Sequence, residues 1–108
     1  MTTQHNAAVI KLVTDRYSAH VQVFHAFDVS EEDSDANYWL NKELAELATA
    51  ALTRAPEFKP SGNRMALLPS TDLGNAYRAV RQHLTETERT RYAEIQEALE
   101  KLTGKYED

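Results

Sequence analysis

Between residues 7 and 29 the polar side chains Lys11, Asp15, Ser18, Gln22 and His25 recur at spacings of 4, 3, 4 and 3, which is one stripe of an α-helix. Opposite them Ile10, Val13, Tyr17, Val21 and Phe24 recur at 3, 4, 4 and 3. A strand would scatter both sets over two faces. The spacing therefore predicts a first helix over about 7–27, with Asn6 as its N-cap. The alternation of Val21, Val23, Phe27 and Val29 supports a competing α+β reading, in which a β-hairpin pairs 8–16 with 19–29. No Pro precedes Pro56 and no Gly precedes Gly62, and the lack of these punctuating residues favours the helix.

A second helix is expected over 35–55, on the seam Leu40, Leu44, Leu47 and Ala51, and it must stop before Pro56. Ser30 with Asp33, or Ser34 with Asn37, has the spacing of a helix start. Residues 56–70 hold all three prolines and read as a long loop, in which Met65 to Leu68 would form a short strand or an apolar plug over the bundle. Ser70 would cap a third helix over 71–84, with Leu73, Tyr77, Val80 and Leu84 as its seam and Gly74 packed close against a neighbour. Thr85 and Glu88 form a capping box for a fourth helix over 86–104. Its stripe is Tyr92, Ile95, Leu99, Leu102 and Tyr106, and Gly104 sits where a C-cap glycine belongs. Helices three and four have almost no linker, so they form a corner or an antiparallel pair.

Each seam carries four or five large apolar side chains, each stabilising by roughly 1.5–3 kcal/mol when buried. An isolated helix of this length is marginal in water, so the four stripes should face one another. The expected fold is an all-α, four-helix bundle-like single domain over 1–108.

Composition narrows the chemistry. Twelve Lys and Arg against 17 Asp and Glu give a net charge of −5, which argues against direct nucleic-acid binding. With no Cys there is no disulfide, thiolate metal site or Cys nucleophile. No basic leader opens the chain and no apolar run approaches the ~18 residues of a membrane span, so a soluble, cytoplasmic protein is expected. The four histidines, His5, His20, His25 and His83, never stand three or four residues apart, and no Glu precedes one by three. Asp33, Asp35 and Asn37 mimic the start of a calcium loop. That loop then needs Gly at position 38 and Glu at position 44, where the chain has Tyr38 and Leu44. With three glycines in the chain there is no phosphate-cradling loop and no nucleophile elbow. No catalytic residue, metal or cofactor is assigned.

Some positions still stand out. Arg16 and His20 bring two polar heads onto the apolar side of the first helix, either as a site or as a snorkelling arginine beside a boundary histidine. Tyr38 and Trp39 lie off the leucine seam of the second helix, as a partner-binding aromatic pair or as cover beneath Phe58. Arg78 and Arg81 form a basic strip on the third helix, between an acidic stretch at 28–35 and an acidic fourth helix. Arg16, His20, Tyr38, Trp39, Arg78 and Arg81 are thus the candidate binding residues of a small regulatory module that docks a helical face on a protein partner. The broad apolar side of the first helix points either to a central position in the fold or to a homodimer. Two other readings compete. One is an acidic inhibitor that mimics nucleic acid. The other is a ligand- or metal-binding helical module built on Arg16, Tyr17 and His20.

Overall fold

The computed structural model describes residues 6–26, 28–57 and 69–106, the side chains of 69–71 excepted. Four helices account for the secondary structure among them: α1 (Ala7–His25), α2 (Glu31–Arg54), α3 (Pro69–His83) and α4 (Glu86–Gly104). The first segment is therefore helical, and the 8–16/19–29 hairpin is not formed. Met65 to Leu68 and Phe58 lie outside the described residues.

Local chemistry explains the boundaries. The Ser30 hydroxyl accepts from the Asp33 amide, so α2 starts at Glu31, four residues before the expected start, with three acids in its first turn facing the helix dipole. At α4 the Thr85 hydroxyl accepts from the Glu88 amide, and the Glu88 carboxylate accepts from the Thr85 amide, completing the predicted capping box. α3 already includes Pro69, two residues before the expected start, because proline suits a first helical turn. Gly104 is the last helical residue rather than a left-handed cap, and Lys105 after it stays right-handed. Gly74 is not a packing contact either: a Cβ there would meet nothing within 4 Å.

Asn6 stands at the N-terminus of α1, yet its side chain does not cap that helix. Its amide donates instead to the carbonyls of Leu52 (2.7 Å), Pro56 (3.2 Å) and Ala55 (3.3 Å) at the end of α2. The reason lies in α2. The Leu52 carbonyl would ordinarily accept from the amide four residues on, but that residue is Pro56, which has no N–H. A buried asparagine supplies the missing donor.

One core joins all four helices through Val9, Val13, Leu44, Ala48, Leu52, Ala76, Val80, Leu84 and Ile95, with Tyr17 and Tyr92 among them. The predicted seams are off by part of a turn in two helices. α2 buries Asn37, Asn41, Leu44, Ala48, Ala51 and Leu52, while Leu40 and Leu47 flank the core. Two asparagines can occupy that stripe because the Asn41 amide donates to the Asn37 backbone and side-chain oxygens. In α3 Ala76 and Val80 are inside, and Leu73 and Tyr77 lie beside them.

α2 is central: it packs on α1, α3 and α4, and α1 also packs on α3. α4 leans on α2 and approaches neither α1 nor α3 as closely. α3 and α4 therefore turn a corner at Leu84 and Thr85 instead of packing along their lengths. Between α1 and α4 the space is spanned by large side chains: Tyr17 meets Tyr92, and Phe24 meets Tyr106 edge-on with ring centroids 5.5 Å apart.

Candidate functional site

That widened gap is where polar groups enter the bundle. Tyr17 from α1 and Tyr92 from α4 share a buried hydrogen bond between their hydroxyls, 2.6 Å long. Tyr77 from α3 meets the Tyr17 ring edge-on at 6.1 Å, and His20, one turn further along α1, meets it at 6.4 Å. A cavity of about 540 Å³ lies beside the three tyrosines. Leu44, Leu73 and Leu99 give it an apolar floor, Asn41 and Gln96 add amides, and Arg16, His20 and Arg81 stand at its rim. Its size falls in the range of small-molecule sites.

The electrostatics are one-sided. Among the described residues lining the cavity there is no carboxylate. Among the described residues five other cations have acidic partners: Arg54 binds Glu88, Arg91 binds Glu43, Lys105 binds Asp33, Lys11 binds Asp15 and Lys101 binds Glu97. Arg16 and Arg81 form no ion pair with a described carboxylate. Burial pushes the Tyr17 hydroxyl well above the usual tyrosine range, and the neighbouring Tyr92 and Tyr77 add to that, while Arg81 pulls the other way. The Tyr77 hydroxyl is raised by burial and Tyr92, opposed by Arg16. Both arginines are thus close enough to be felt by the tyrosine oxygens. Tyr17 and Tyr77 are neutral hydrogen-bond groups here and not bases. His20 is lowered from its ordinary value by partial desolvation and by Arg16, so its imidazole is neutral at physiological pH.

A second, more apolar groove of about 410 Å³ adjoins the cavity and shares Arg16 and His20 with it. Ala19, Val23 and Phe24 of α1 face Thr103 and Tyr106 across it. The Tyr106 hydroxyl donates to Asp33, whose carboxyl it holds below the usual carboxylate range with help from Lys105. Its ring, turned edge-on to Phe24, is what the groove meets.

The structure thus gathers Arg16, His20 and Arg81 around one cavity and leaves the other candidates apart. Arg78 is exposed and does not line it. Tyr38 and Trp39 lie toward the start of α2, 44% and 60% exposed, stacked edge-on at 5.1 Å with the Lys42 ammonium 4.9 Å above the indole. Tyr38 also edges a small groove between α1 and α2. Sequence reasoning did not single out Tyr77, Tyr92 or Gln96 as site residues. The available signal was a tyrosine, with its polar tip, on the apolar stripe of three different helices.

Among the described residues no group of three or more His, Asp or Glu is placed to hold a metal ion. None of the described helices is long and apolar enough to cross a membrane. No protein-family model, curated protein or solved structure matches the chain.

Proposed function

We propose that this protein is a binding module for a small organic anion, held in the cavity lined by residues of all four helices. The observation that carries the reading is the pair of guanidinium groups, Arg16 and Arg81, at the rim of a cavity with no described carboxylate, in a protein with five more acids than bases. Both guanidinium groups line the same cavity without a described acidic partner, so an anion seated there gains charge-assisted hydrogen bonds from them. The leucines of the floor keep water from the charged head, and Tyr77, Asn41 and Gln96 offer polar contacts around it. The net charge of −5 opposes anions at a distance, but salt screens that field over about 8 Å, while the two guanidinium groups act at contact.

Titration of isotope-labelled protein with a panel of organic carboxylates and phosphate esters, read by NMR, tests this. Saturable shifts centred on Arg16, His20, Tyr77 and Arg81 are expected. Both arginines are exposed, and a charge pair in contact with solvent contributes about 0.2–1 kcal/mol, so Arg16→Gln or Arg81→Gln should weaken binding by up to about fivefold. Indifference of these resonances to every anion tried would dismiss the reading.

A second reading, docking of a protein partner on the start of α2, is favoured by one observation: Trp39 is 60% exposed beside Tyr38 and under Lys42. Tryptophan and tyrosine dominate interface hot spots. On this reading Trp39→Ala bait retains fewer proteins from native cell extract than the wild-type bait; identical sets would remove it.

A further inference from the structure

We infer that the anion is a medium-chain aliphatic carboxylate, bound as a free monomer, with its head at Arg16 and its chain along the groove between the second half of α1 and the end of α4. The inference rests on the cavity reading above and adds the identity of the ligand. Three observations carry it. The tyrosine-lined cavity and the apolar groove are neighbours, since Arg16 and His20 line both, so a head at Arg16 is within reach of either. The groove itself has no described carboxylate, so the cationic head region and the apolar channel form one complementary surface for an amphiphile with a negative head. Its wall is hydrophobic where a soluble helix would ordinarily be polar: Val23 is 61% exposed, next to Ala19 and the Phe24–Tyr106 ring pair.

The dimensions select the chain length. From Arg16 to Phe24 is eight residues of helix, about 12 Å at ~1.5 Å per residue. At carbon–carbon bonds of ~1.5 Å in a zigzag, that distance suits an extended chain of about ten carbons. The head at one end takes the guanidinium of Arg16 and the imidazole of His20, with Arg81 within the same cavity. At the other end Tyr106 is fixed by its hydroxyl to Asp33, so the aromatic wall is in place before anything binds.

The test compares butanoate, decanoate and decanol, each below its aggregation concentration, by calorimetry and NMR titration on the full chain. Full burial of one methylene corresponds to about a fourfold gain in affinity. The groove is open on one side, so about twofold per methylene is expected, or roughly sixtyfold from butanoate to decanoate. Arg16→Gln should weaken both acids. Val23→Asn, uncharged and at an exposed position that leaves the core intact, should cut the gain from chain length much more than it changes the binding of butanoate. Butanoate and decanoate binding equally, both dependent on Arg16, would overturn the aliphatic chain and leave the cavity reading standing. Failure of both acids, along with every other anion of the panel, would remove the two together. Decanol binding as tightly as decanoate would overturn the carboxylate, and preferential flotation with anionic vesicles over binding of monomeric decanoate would overturn the free monomer.

Discussion

Replacing Asn6 with alanine tests how α2 is terminated. The side chain is 3% exposed and donates to three carbonyls at the end of α2, 46 to 50 residues away. Alanine removes the donor without adding bulk, leaving the buried Leu52 carbonyl with neither its helical partner nor a substitute. A buried acceptor stranded in this way costs about 1–3 kcal/mol. The Pro56 end of the cluster is exposed and can turn to water, so a value near the middle, about 2 kcal/mol, is expected. For a chain of this size that corresponds to a fall in Tm of about 8 °C. Urea denaturation followed by circular dichroism should show the midpoint falling at unchanged m, since the surface exposed on unfolding stays the same. Asn6→Asp should cost more than alanine at neutral pH, because a carboxylate would face the same carbonyls. A loss below 0.5 kcal/mol for alanine, or an aspartate variant as stable as wild type, would refute the account of α2 termination at Pro56.

Other expectations follow from the same structure. Gly74→Ala meets no neighbour and lies within α3, so it should stabilise by roughly 0.5–1 kcal/mol, seen as a rise in Tm; a loss would show that α3 needs the glycine. Glu88 is pulled from 4.5 down to about 2 by the Arg54 hydrogen bonds and then by the Thr85 amide. Its folded value lies below its unfolded one, so its contribution to stability is complete above pH ~4.5 and is lost as the pH falls toward ~2. Stability measured across that window should fall less steeply in Glu88→Gln than in wild type. Tyr92→Phe leaves the buried Tyr17 hydroxyl without its 2.6 Å partner, and a loss of about 1 kcal/mol is expected in chemical denaturation.

Helix existence was legible where the sequence pattern and the end signals agreed. α4 combined a capping box with a regular stripe; it begins where the box puts it and runs through Gly104, which is helical and not the cap. α2 was harder. Its leucines drew the seam toward Leu40 and Leu47, whereas the buried stripe passes through Asn37 and Asn41, whose hydrogen bonds remove the penalty that usually keeps such residues outside. Asn6 was recognised as a helix-start residue, but the demand it meets is set by Pro56, which only the packing of α1 on α2 brings near. The site divides in the same way. Arg16 and His20 were visible because they break an apolar face. Arg81 read as part of an outward strip with Arg78 because its place at the cavity depends on how α3 lies against α1. The cavity itself exists because α4 stands off from α1, and no residue pattern within a single helix encodes that separation.

The attachment of α4 to α2 has a consequence of its own. Glu88, Arg91 and Lys105 are each tied to an oppositely charged side chain of α2, at its end, its middle and its start, with Ile95 as the apolar contact between. Such solvent-facing ties are individually weak and yield to electrolyte, whereas the contacts of α1, α2 and α3 are mostly greasy and do not. The outer wall of the cavity is therefore held more by salt-sensitive ties than the other described helices are, so on the proposed anion-binding reading ligand exchange should quicken as ionic strength rises.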